Sequence, residues 1–364
     1  MDGANVAIYR RTNGEYNSHS KKAAEATLFP ILPQPVGIAR LAAEAQHADD
    51  GHLVEFKALN VRSILNKSTS KRLRWLAWSI NPYRGCEFGC KYCYARYTHE
   101  FMELRDPLAF ERLIFVKQHA AWLLEQELRK IDPADEIALG TATDPYQPIE
   151  RRAQITRSLL EVFARRRGYH LGIVTKSTLI ARDIDLLTEI ARHNTLTVHL
   201  TITTPDTELA RLLEPRAPRP DLRFQAVRRL REAGIRTGIL CCPLLPGITD
   251  TQKALNEMAR RAAAVGANFL AANPLFLKPC SRPTYLSFVR EHFPALEEDY
   301  AARFAHADFA APPYRRKLAT MVEAARRLHG LSQRPRDELT SQMVSAARIP
   351  PMSVGRDRQQ SLFA

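Results

Sequence analysis

Cysteine and long apolar runs are both scarce in this chain. Six cysteines among 364 residues are too few for the disulfide framework of a small secreted protein. No run of eighteen apolar residues occurs, which argues against a membrane-spanning helix. The first residues also lack the apolar core of a secretory signal. We therefore expect a cytoplasmic protein with no membrane association, in a compartment where thiols stay reduced.

Half of those few cysteines lie close together, in the sequence NPYRGCEFGCKYCY that ends at Tyr94. Cys86, Cys90 and Cys93 can reach one centre from one loop, and cysteine thiolates are the usual ligands of iron–sulfur clusters. A cubane cluster needs four ligands, but the other cysteines lie far downstream, at positions 241, 242 and 280. The triplet thus predicts a cluster with one iron open to a further ligand, as in catalytic metal sites. A zinc site with His99 as fourth ligand is the alternative, although zinc patterns bring a second Cys or His pair.

Acidic residues are outnumbered, with 39 Asp plus Glu against 53 Lys plus Arg and a formal net charge of +14. No acid falls between Phe56 and Ile80, so the segment Lys57–Arg74 is purely basic. Such a stretch attracts polyanions, because phosphate contacts dominate sequence-independent binding of nucleic acid. The segment therefore predicts a nucleic-acid partner; the alternative is that the arginines are solvated surface residues.

Composition divides the chain into five parts. Residues 1–50 have little periodicity outside an Ala-rich stretch, and we expect a flexible leader. A basic segment, 51–78, precedes the main domain, 79–290, and a helical segment, 291–330, follows it. Residues 331–364 are polar and contain proline, which predicts a flexible tail.

Within the main domain, β-rich runs alternate with helical patterns. The predicted strands are Ser79–Tyr83, Glu136–Thr141, His170–Thr175, Leu196–Thr203, Arg236–Cys241 and Asn268–Asn273. The predicted helices are Phe110–Arg129, Arg151–Arg166, Ile180–His193, Thr207–Leu213, Pro220–Ala233, Thr251–Val265 and one from Arg282. This order predicts an α/β fold with parallel strands joined by right-handed crossovers. Periodicity alone leaves a partial barrel and a doubly wound open sheet as alternatives.

Polar residues recur where these strands end, and that is where a (β/α) barrel carries its chemistry. The sequence GTATDPYQPIE follows the second predicted strand, and Thr-Lys-Ser, 175–177, ends the third. The fourth strand is followed by Glu-Pro-Arg-Ala-Pro, 214–218. The fifth ends in Cys241 and Cys242. Lys176 can pair with a carboxylate and Thr143 and Thr201 can donate hydrogen bonds.

The cysteine triplet, with Tyr92 before its last member, resembles that of the radical S-adenosylmethionine (SAM) superfamily. The strand-end sequences are similar to those of its spore photoproduct lyase-related group, from about residue 60 to about residue 279. The resemblance implies a six-stranded partial (β/α) barrel, and a [4Fe–4S] cluster whose open iron binds SAM. It also implies reductive cleavage of SAM to a radical that abstracts a hydrogen atom, with an electron donor such as flavodoxin or ferredoxin. The residues that it implies for SAM binding are Tyr92, Thr143, Lys176 and Thr201. Asp144 could accept from the ammonium or ribose of SAM, and the alternative is an ordinary turn former, because Asp before Pro is common in turns.

One departure separates this chain from the lyase itself. Thr141 stands where the lyase has the cysteine that returns a hydrogen atom to its product. A hydroxyl is a poor hydrogen-atom donor, so a standard spore photoproduct lyase is disfavoured. Tyr92 and Tyr94 match tyrosines proposed as relay partners in the lyase. Cys241 or Cys242 is the candidate replacement donor if it points into the barrel. Simple packing is the alternative for both thiols, because free cysteine is often buried.

These features predict a radical SAM enzyme that acts on nucleic acid or a nucleotide. A protein or peptide substrate is the first alternative, although such enzymes bring further C-terminal cysteine clusters and no cysteine follows Cys280. A small-molecule substrate is also open. A non-catalytic iron–sulfur or zinc protein that binds nucleic acid through its basic segment is the third alternative.

Overall fold

The computed structural model describes residues 36–50, 54–68 and 76–334 of the chain. Most of the expected leader and tail, and the basic residues Lys71, Arg72 and Arg74, lie outside these described residues.

Strands and helices alternate through most of the described chain. The strands are β1 (Gln46–Asp50), β2 (Glu55–Leu59), β3 (Leu65–Lys67), β4 (Leu76–Ile80), β5 (Tyr83–Arg84), β6 (Leu113–Lys117), β7 (Glu136–Leu139), β8 (His170–Thr175), β9 (Thr195–Thr201), β10 (Thr237–Leu244) and β11 (Leu270–Pro274). The helices are α1 (Gly37–Ala43), α2 (Tyr97–Glu100), α3 (Ala109–Arg112), α4 (Ala120–Leu128), α5 (Glu150–Ala153), α6 (Ile155–Ala164), α7 (Ile184–His193), α8 (Thr207–Leu213), α9 (Pro220–Glu232), α10 (Gln252–Ala264), α11 (Arg282–His292), α12 (Glu297–Arg303) and α13 (Pro312–Leu328). Short 3₁₀ turns span Tyr94–Arg96, Thr178–Asp183, Pro279–Ser281 and Pro294–Leu296.

The main sheet has the order β11-β10-β9-β8-β7-β4-β3. From β4 to β11 every neighbouring pair is parallel, and only β3 runs antiparallel, at one edge. Consecutive parallel strands therefore lie side by side, joined by crossovers. The prediction of an α/β fold built on six parallel strands is confirmed. In the described part of the chain β3 and β11 do not pair, so the sheet stays open.

Helices cover one face of this sheet because each buries an apolar stripe against it. In α9 the buried residues Phe224, Val227 and Leu230 recur at helical spacing. Pro220 occupies the first turn of α9, where its missing N–H costs nothing. Thr251 caps α10, since its side chain accepts from the amide of Ala254. The helices and this core cover one face of the sheet, so the candidate functional site lies on the other face.

The prediction of one helix over Phe110–Arg129 is wrong. This segment contains α3, then β6, then α4. β6 carries an apolar run whose residues Ile114, Phe115 and Val116 are all buried, and such runs fit a strand covered on both faces. It pairs parallel with β2 and antiparallel with β5 in a second sheet of order β1-β2-β6-β5. His119, at a φ of 56°, breaks the chain between β6 and α4.

Ordered structure also begins within the range assigned to the flexible leader. Helix α1 falls on the Ala-rich stretch and buries Ala39 and Ala42. β1 then pairs antiparallel with β2, which supplies the backbone hydrogen bonds that a leader would lack. At the other end, Ser332 forms a bridge with Phe269, so the first residues of the expected tail contact the sheet.

Candidate cofactor site at the strand ends

The cysteine triplet lies on a loop, here called the cluster loop (Gly85–Cys93), which begins where β5 ends. Gly85 has a φ of 82°, and a Cβ there would stand 2.8 Å from the carbonyl oxygen of Phe110. The amide of Cys86 donates to that same oxygen at 2.9 Å. Gly89 has a φ of 63°, and a Cβ there would meet Arg216 at 2.7 Å. Both turns therefore require glycine, which explains the two glycines that precede Cys86 and Cys90.

The three cysteines are free thiols that lie together in an apolar cluster with Phe88 and Tyr92. Burial raises the pKa of Cys86 and Cys93, and it raises that of Cys90 to about 12. The amides of Phe88 and Ala95 act in the opposite direction on Cys86 and Cys93, and the ammonium of Lys176 does so on Cys90 and Cys93. Burial outweighs these donors, so a metal would have to displace the thiol protons to bind the thiolate form. Three free thiols on one loop are nevertheless the donor set that an iron–sulfur cluster uses.

The alternative zinc site gains no support from His99. Its Nε2 lies 3.0 Å from the carbonyl oxygen of Leu113, and its ring packs between Phe110 and Phe115. Among the described residues, no three His, Cys, Asp or Glu side chains converge as ligands of a single ion. A cubane cluster gives each cysteine its own iron and does not require that convergence.

Side chains from outside the loop hold its backbone. Ser281 Oγ donates to the carbonyl of Cys93 at 2.7 Å, which ties the loop to the segment after β11. Arg96 donates to the carbonyl of Cys90 at 3.2 Å and also contacts Glu111 at 3.0 Å. Arg96 is buried, so its contact with Glu111 neutralises a charge that would otherwise be costly inside the protein.

The loop after β7 forms a second anchor. Thr143 Oγ1 donates to the carbonyl of Gly85 at 2.5 Å, and Gln147 Nε2 donates to Thr143 Oγ1 at 3.1 Å. Gln147 also accepts from the amide of Glu87 at 2.9 Å, while Glu87 accepts from the amide of Ile149 at 2.8 Å. Glu87 and Gln147 were not predicted as anchors, although they lie in NPYRGCEFGCKYCY and GTATDPYQPIE, respectively. The hydroxyl proton of Thr143 is committed to the loop, and its role toward SAM stays a prediction.

Asp144 joins the ends of β7 and β8. Its carboxylate accepts from Thr175 Oγ1 at 2.6 Å, from the amide of Lys176 at 2.7 Å and from that of Tyr146 at 2.9 Å. Burial nevertheless leaves the pKa of Asp144 raised, against these three hydrogen bonds. The structure therefore shows Asp144 as a brace between strand ends, and contact with SAM stays a prediction.

Lys176, one of the residues predicted to bind SAM, lies beside the cluster loop. Its Nζ lies 5.7 Å from the ring centroid of Tyr92, within range of a cation–π contact. Burial lowers the pKa of Lys176, but the neighbouring Cys90 and the Glu214 carboxylate more than offset this and leave it raised. The ammonium stays charged beside the triplet, where a carboxylate of a bound ligand could pair with it.

Tyr92 belongs to a buried polar network that sequence analysis only partly found. The Tyr92 hydroxyl donates to the Glu214 carboxylate. Thr203 Oγ1 is hydrogen-bonded to both, at 2.9 Å from the Tyr92 hydroxyl oxygen and 2.9 Å from Glu214 Oε1. Arg223 Nη1 lies 2.6 Å from Glu214 Oε2, and the two groups form an ion pair whose geometry is not that of a hydrogen bond. Both side chains are buried, at 1% exposure. Arg223 also donates to the carbonyl of Thr201 at 3.1 Å. Glu214 begins the Glu-Pro-Arg-Ala-Pro motif, whereas Arg223 lies on α9, where no motif in the sequence marks it.

The two adjacent cysteines of β10 face opposite sides of the sheet. Cys241 is part of the helix-side core, and its Sγ lies 3.5 Å from the carbonyl of Thr203. Cys242 is partly exposed and packs with Leu240 and Phe269 on the other face. Between the two candidate hydrogen donors, only Cys242 lies on the face that carries the site. A redox role for either one stays a prediction.

Tyr94 follows the last cysteine of the loop. Its hydroxyl donates to the carbonyl of Thr141, at the position of the lyase's hydrogen donor, while 39% of the side chain stays exposed. Asn81 also donates to Thr141 Oγ1, at 3.2 Å, and accepts from the amide of Ala142 at 2.7 Å. The predicted relay tyrosine and Thr141 are therefore in contact.

A cavity of about 300 Å³ opens beside the cluster loop. Phe88 of the loop forms one wall, and two arginines, Arg151 and Arg216, reach its rim together with Ser177 and Thr178. Arg216 is held only loosely by Glu111, at 3.7 Å. Cations and hydroxyls around a cavity of this size suit a phosphorylated or carboxylated small group.

The fold and site together define an α/β protein with an open parallel sheet and a three-cysteine loop at its strand ends. The family model of the radical SAM superfamily matches residues 80–260. An uncharacterized protein of Mycobacterium tuberculosis is 31% identical over 290 residues, 79% of this chain and 84% of that protein. One of Methanocaldococcus jannaschii is 30% identical over 178 residues, 49% of this chain and 64% of that protein.

A solved structure of a spore photoproduct lyase variant with bound AdoMet and dinucleoside spore photoproduct is similar in fold. It matches with a TM-score of 0.56 at 17% identity, over 75% of this chain and 79% of that one. The chain therefore belongs to the radical SAM superfamily, is an enzyme, and has the partial-barrel fold. In the described residues, no helix is both long and apolar enough to cross a bilayer.

Proposed function

We propose that this chain is a cytoplasmic radical SAM enzyme that acts on nucleic acid or a nucleotide. The observation that carries the proposal is the placement of three free cysteines on one loop at the strand ends of a partial barrel. In this proposal Cys86, Cys90 and Cys93 hold a [4Fe–4S] cluster, which supplies an electron for the cleavage of SAM when it is bound. An external reductant, such as flavodoxin or ferredoxin, provides that electron.

The polar groups around the loop suit the parts of SAM. Lys176 offers an ammonium to the methionine carboxylate, beside the ring of Tyr92. Thr201 ends β9 on the same side of the sheet, and Arg223 fixes its carbonyl. Thr143 and Asp144 hold the loop and the β8 end in position, so their substitution would move the site even without direct contact.

The nucleic-acid substrate class is supported by charge. The net charge of +14 favours polyanions. Two arginines, Arg151 and Arg216, line the cavity beside the cluster loop, where a phosphate could be bound. The basic segment Lys57–Arg74 would add phosphate contacts further from the reacting atoms.

The test is anaerobic reconstitution followed by an assay of SAM cleavage. Reduced protein is expected to release 5′-deoxyadenosine slowly, and faster with single-stranded or double-stranded DNA or RNA. Faster release with peptides or lysate metabolites but not with nucleic acid would contradict the substrate class. Absence of any cleavage with a fully loaded cluster would contradict the enzyme assignment itself.

A further inference from the structure

Four aromatic rings form a continuous row across the opening of the barrel, here called the aromatic ladder (Tyr97, Tyr94, Phe276, Phe309). The centroids of Tyr97 and Tyr94 are 6.5 Å apart, and those of Tyr94 and Phe276 are 5.9 Å apart. Phe276 and Phe309 stack at 4.2 Å with an interplanar angle of 21°. These separations match those of aromatic pairs that attract each other.

The ladder links the two ends of the run of six parallel strands. Tyr94 and Tyr97 follow the cluster loop on the β4 side, whereas Phe276 comes two residues after β11. β4 and β11 lie at opposite ends of the run of six parallel strands. The rings therefore stand at the gap that the partial barrel leaves open, next to Cys93.

Packing into the core does not account for the ladder. Among the described residues, none of its four rings is part of an apolar core cluster or packed against one. Tyr94 is 39% exposed, and the neighbouring Phe101, whose ring meets Tyr97 edge-on, is 36% exposed. Tyr97, Phe276 and Phe309 are half-buried, so the aromatic surface open to a ligand lies chiefly at Tyr94 and Phe101.

Positive charge accompanies the rings. Lys278 Nζ lies 4.4 Å from the centroid of Tyr97 and 5.7 Å from that of Phe276. Arg84 is close to Tyr97, and its Nε is buried without a hydrogen-bond partner among the described residues. Of the nearby acids, Asp308 is paired with Arg282 at 2.9 Å, while Glu100 offsets part of the charge. Flat rings flanked by cations are complementary to a base that carries a phosphate.

We propose that the aromatic ladder binds an unpaired nucleobase of a nucleic-acid substrate by stacking, while Lys278 contacts its phosphate. This rests on the proposed function, because it requires that nucleic acid is the substrate. It adds a specific consequence: the protein recognises bases that are single-stranded or displaced from a duplex, since only these expose a face for stacking. Substrate would then approach through the gap that the open sheet leaves between β3 and β11.

The test compares a short single-stranded oligonucleotide with an abasic one of the same length, in DNA and in RNA, by fluorescence anisotropy. The wild-type protein is expected to bind the base-containing strand more tightly. Phe276→Leu and Tyr97→Leu are each expected to weaken that binding by about 5-fold to 150-fold, the range of stacking on an aromatic side chain. Neither change should alter binding of the abasic strand. A 2-aminopurine in the strand should be quenched by the wild-type protein and less so by both variants.

Two further variants serve as controls. Trp122→Leu removes a ring on α4 that is 64% exposed and is not part of the ladder, and this variant should bind as the wild type does. Lys278→Gln should weaken the base-containing and abasic strands equally and reduce the salt slope by about one phosphate contact. Iron content and Tm, compared with those of the wild type, show whether each variant is folded.

The outcomes separate this inference from the proposed function. Equal wild-type affinity for both strands, or equal weakening of both in the ring variants, would overturn the stacking site and leave a nucleic-acid enzyme. Failure of the wild-type protein to bind either strand at low salt would overturn both.

Discussion

Removal of Arg223 is expected to be among the most damaging single changes near the site. Arg223→Met leaves the Glu214 carboxylate buried, at 1% exposure, with only hydroxyl donors from Tyr92 and Thr203. Breaking a buried ion pair from one side costs about 3–5 kcal/mol. The change also frees the carbonyls of Pro218 and Thr201, which accept from Arg223 at 2.6 and 3.1 Å.

The assay is thermal unfolding under anaerobic conditions, followed by circular dichroism. At about 2–4 °C per kcal/mol for a domain of this class, Tm should fall by roughly 6–20 °C. Arg228→Met is the matched control, because Arg228 lies exposed on the same helix and its removal should change stability by less than about 0.5 kcal/mol. The double variant Glu214→Leu/Arg223→Met should be more stable than Arg223→Met alone, since the buried Glu214 carboxylate is removed together with its partner.

The pH dependence gives an independent check. Burial raises the pKa of Glu214, but Arg223 and Lys176 outweigh this and hold it below its ordinary value. In the wild type, the carboxylate therefore stabilises the fold above its unfolded pKa of about 4.3, and this is lost as pH falls below it. Without Arg223 the pKa rises, so protonation relieves the penalty as pH falls. The difference in Tm between the wild type and Arg223→Met should therefore be smaller at about pH 5 than at about pH 7.5. The reasoning would be refuted if Arg223→Met lowered Tm no more than Arg228→Met does, or if its effect on Tm did not change with pH.

Four further predictions concern the cofactors and the substrate. Ala at Cys86, Cys90 or Cys93 should abolish the uptake of about four irons and the SAM-perturbed EPR signal, whereas Cys280→Ala should keep both; stoichiometric zinc without iron would contradict the cluster. Lys176→Ala should weaken SAM binding by about 1.5–3 kcal/mol in equilibrium dialysis, with the exposed Lys253→Ala as control; unchanged affinity would make Lys176 a structural residue. Cys242→Ala should leave deoxyadenosine formation running while product falls or adducts appear by mass spectrometry, whereas Cys241→Ala should lower only Tm; normal turnover by both would exclude a thiol donor. Charge reversal at Lys71, Arg72 and Arg74 should flatten the salt dependence of nucleic-acid binding by about 0.7–0.9 for each phosphate that is no longer neutralised, and an unchanged slope would place phosphate binding elsewhere.

The sequence predicts the parallel sheet well because each strand is a short apolar run between helical patterns. Crossovers make the strands parallel, but periodicity left their order open between a partial barrel and a doubly wound sheet, and only the resemblance carried by the cysteine motif favoured the sequential order. β6 was missed because its run lies directly between two helical turns, and only its partners β2 and β5 distinguish a strand there. The second sheet, which these strands form, depends on pairing over distances that local periodicity does not report.

For the candidate site, too, the sequence predicts some features and misses others. The cysteine triplet is recognisable because its spacing alone restricts the chemistry. Asp144 and Thr143 were singled out as ligands of SAM, yet their hydrogen bonds go to the β8 end and to Gly85. A polar residue at a strand end can brace a loop or bind a ligand, and the sequence is the same in both cases. Arg223, on α9, could be found only from its contact with Glu214.

The contacts around the cluster loop indicate how stability and cofactor retention are connected. Thr143, Arg96 and Ser281 all bind carbonyls of the loop, whereas the three sulfurs lie among apolar side chains. The loop's shape is therefore fixed by residues after β7, before α2 and after β11, which come together only in the folded barrel. A site with this construction does not exist in the unfolded chain, so the free energy of binding a cluster is also free energy of folding. A bound cluster should accordingly raise the Tm of the barrel, and variants that loosen any of these anchors should lower both the Tm and the retention of the cluster.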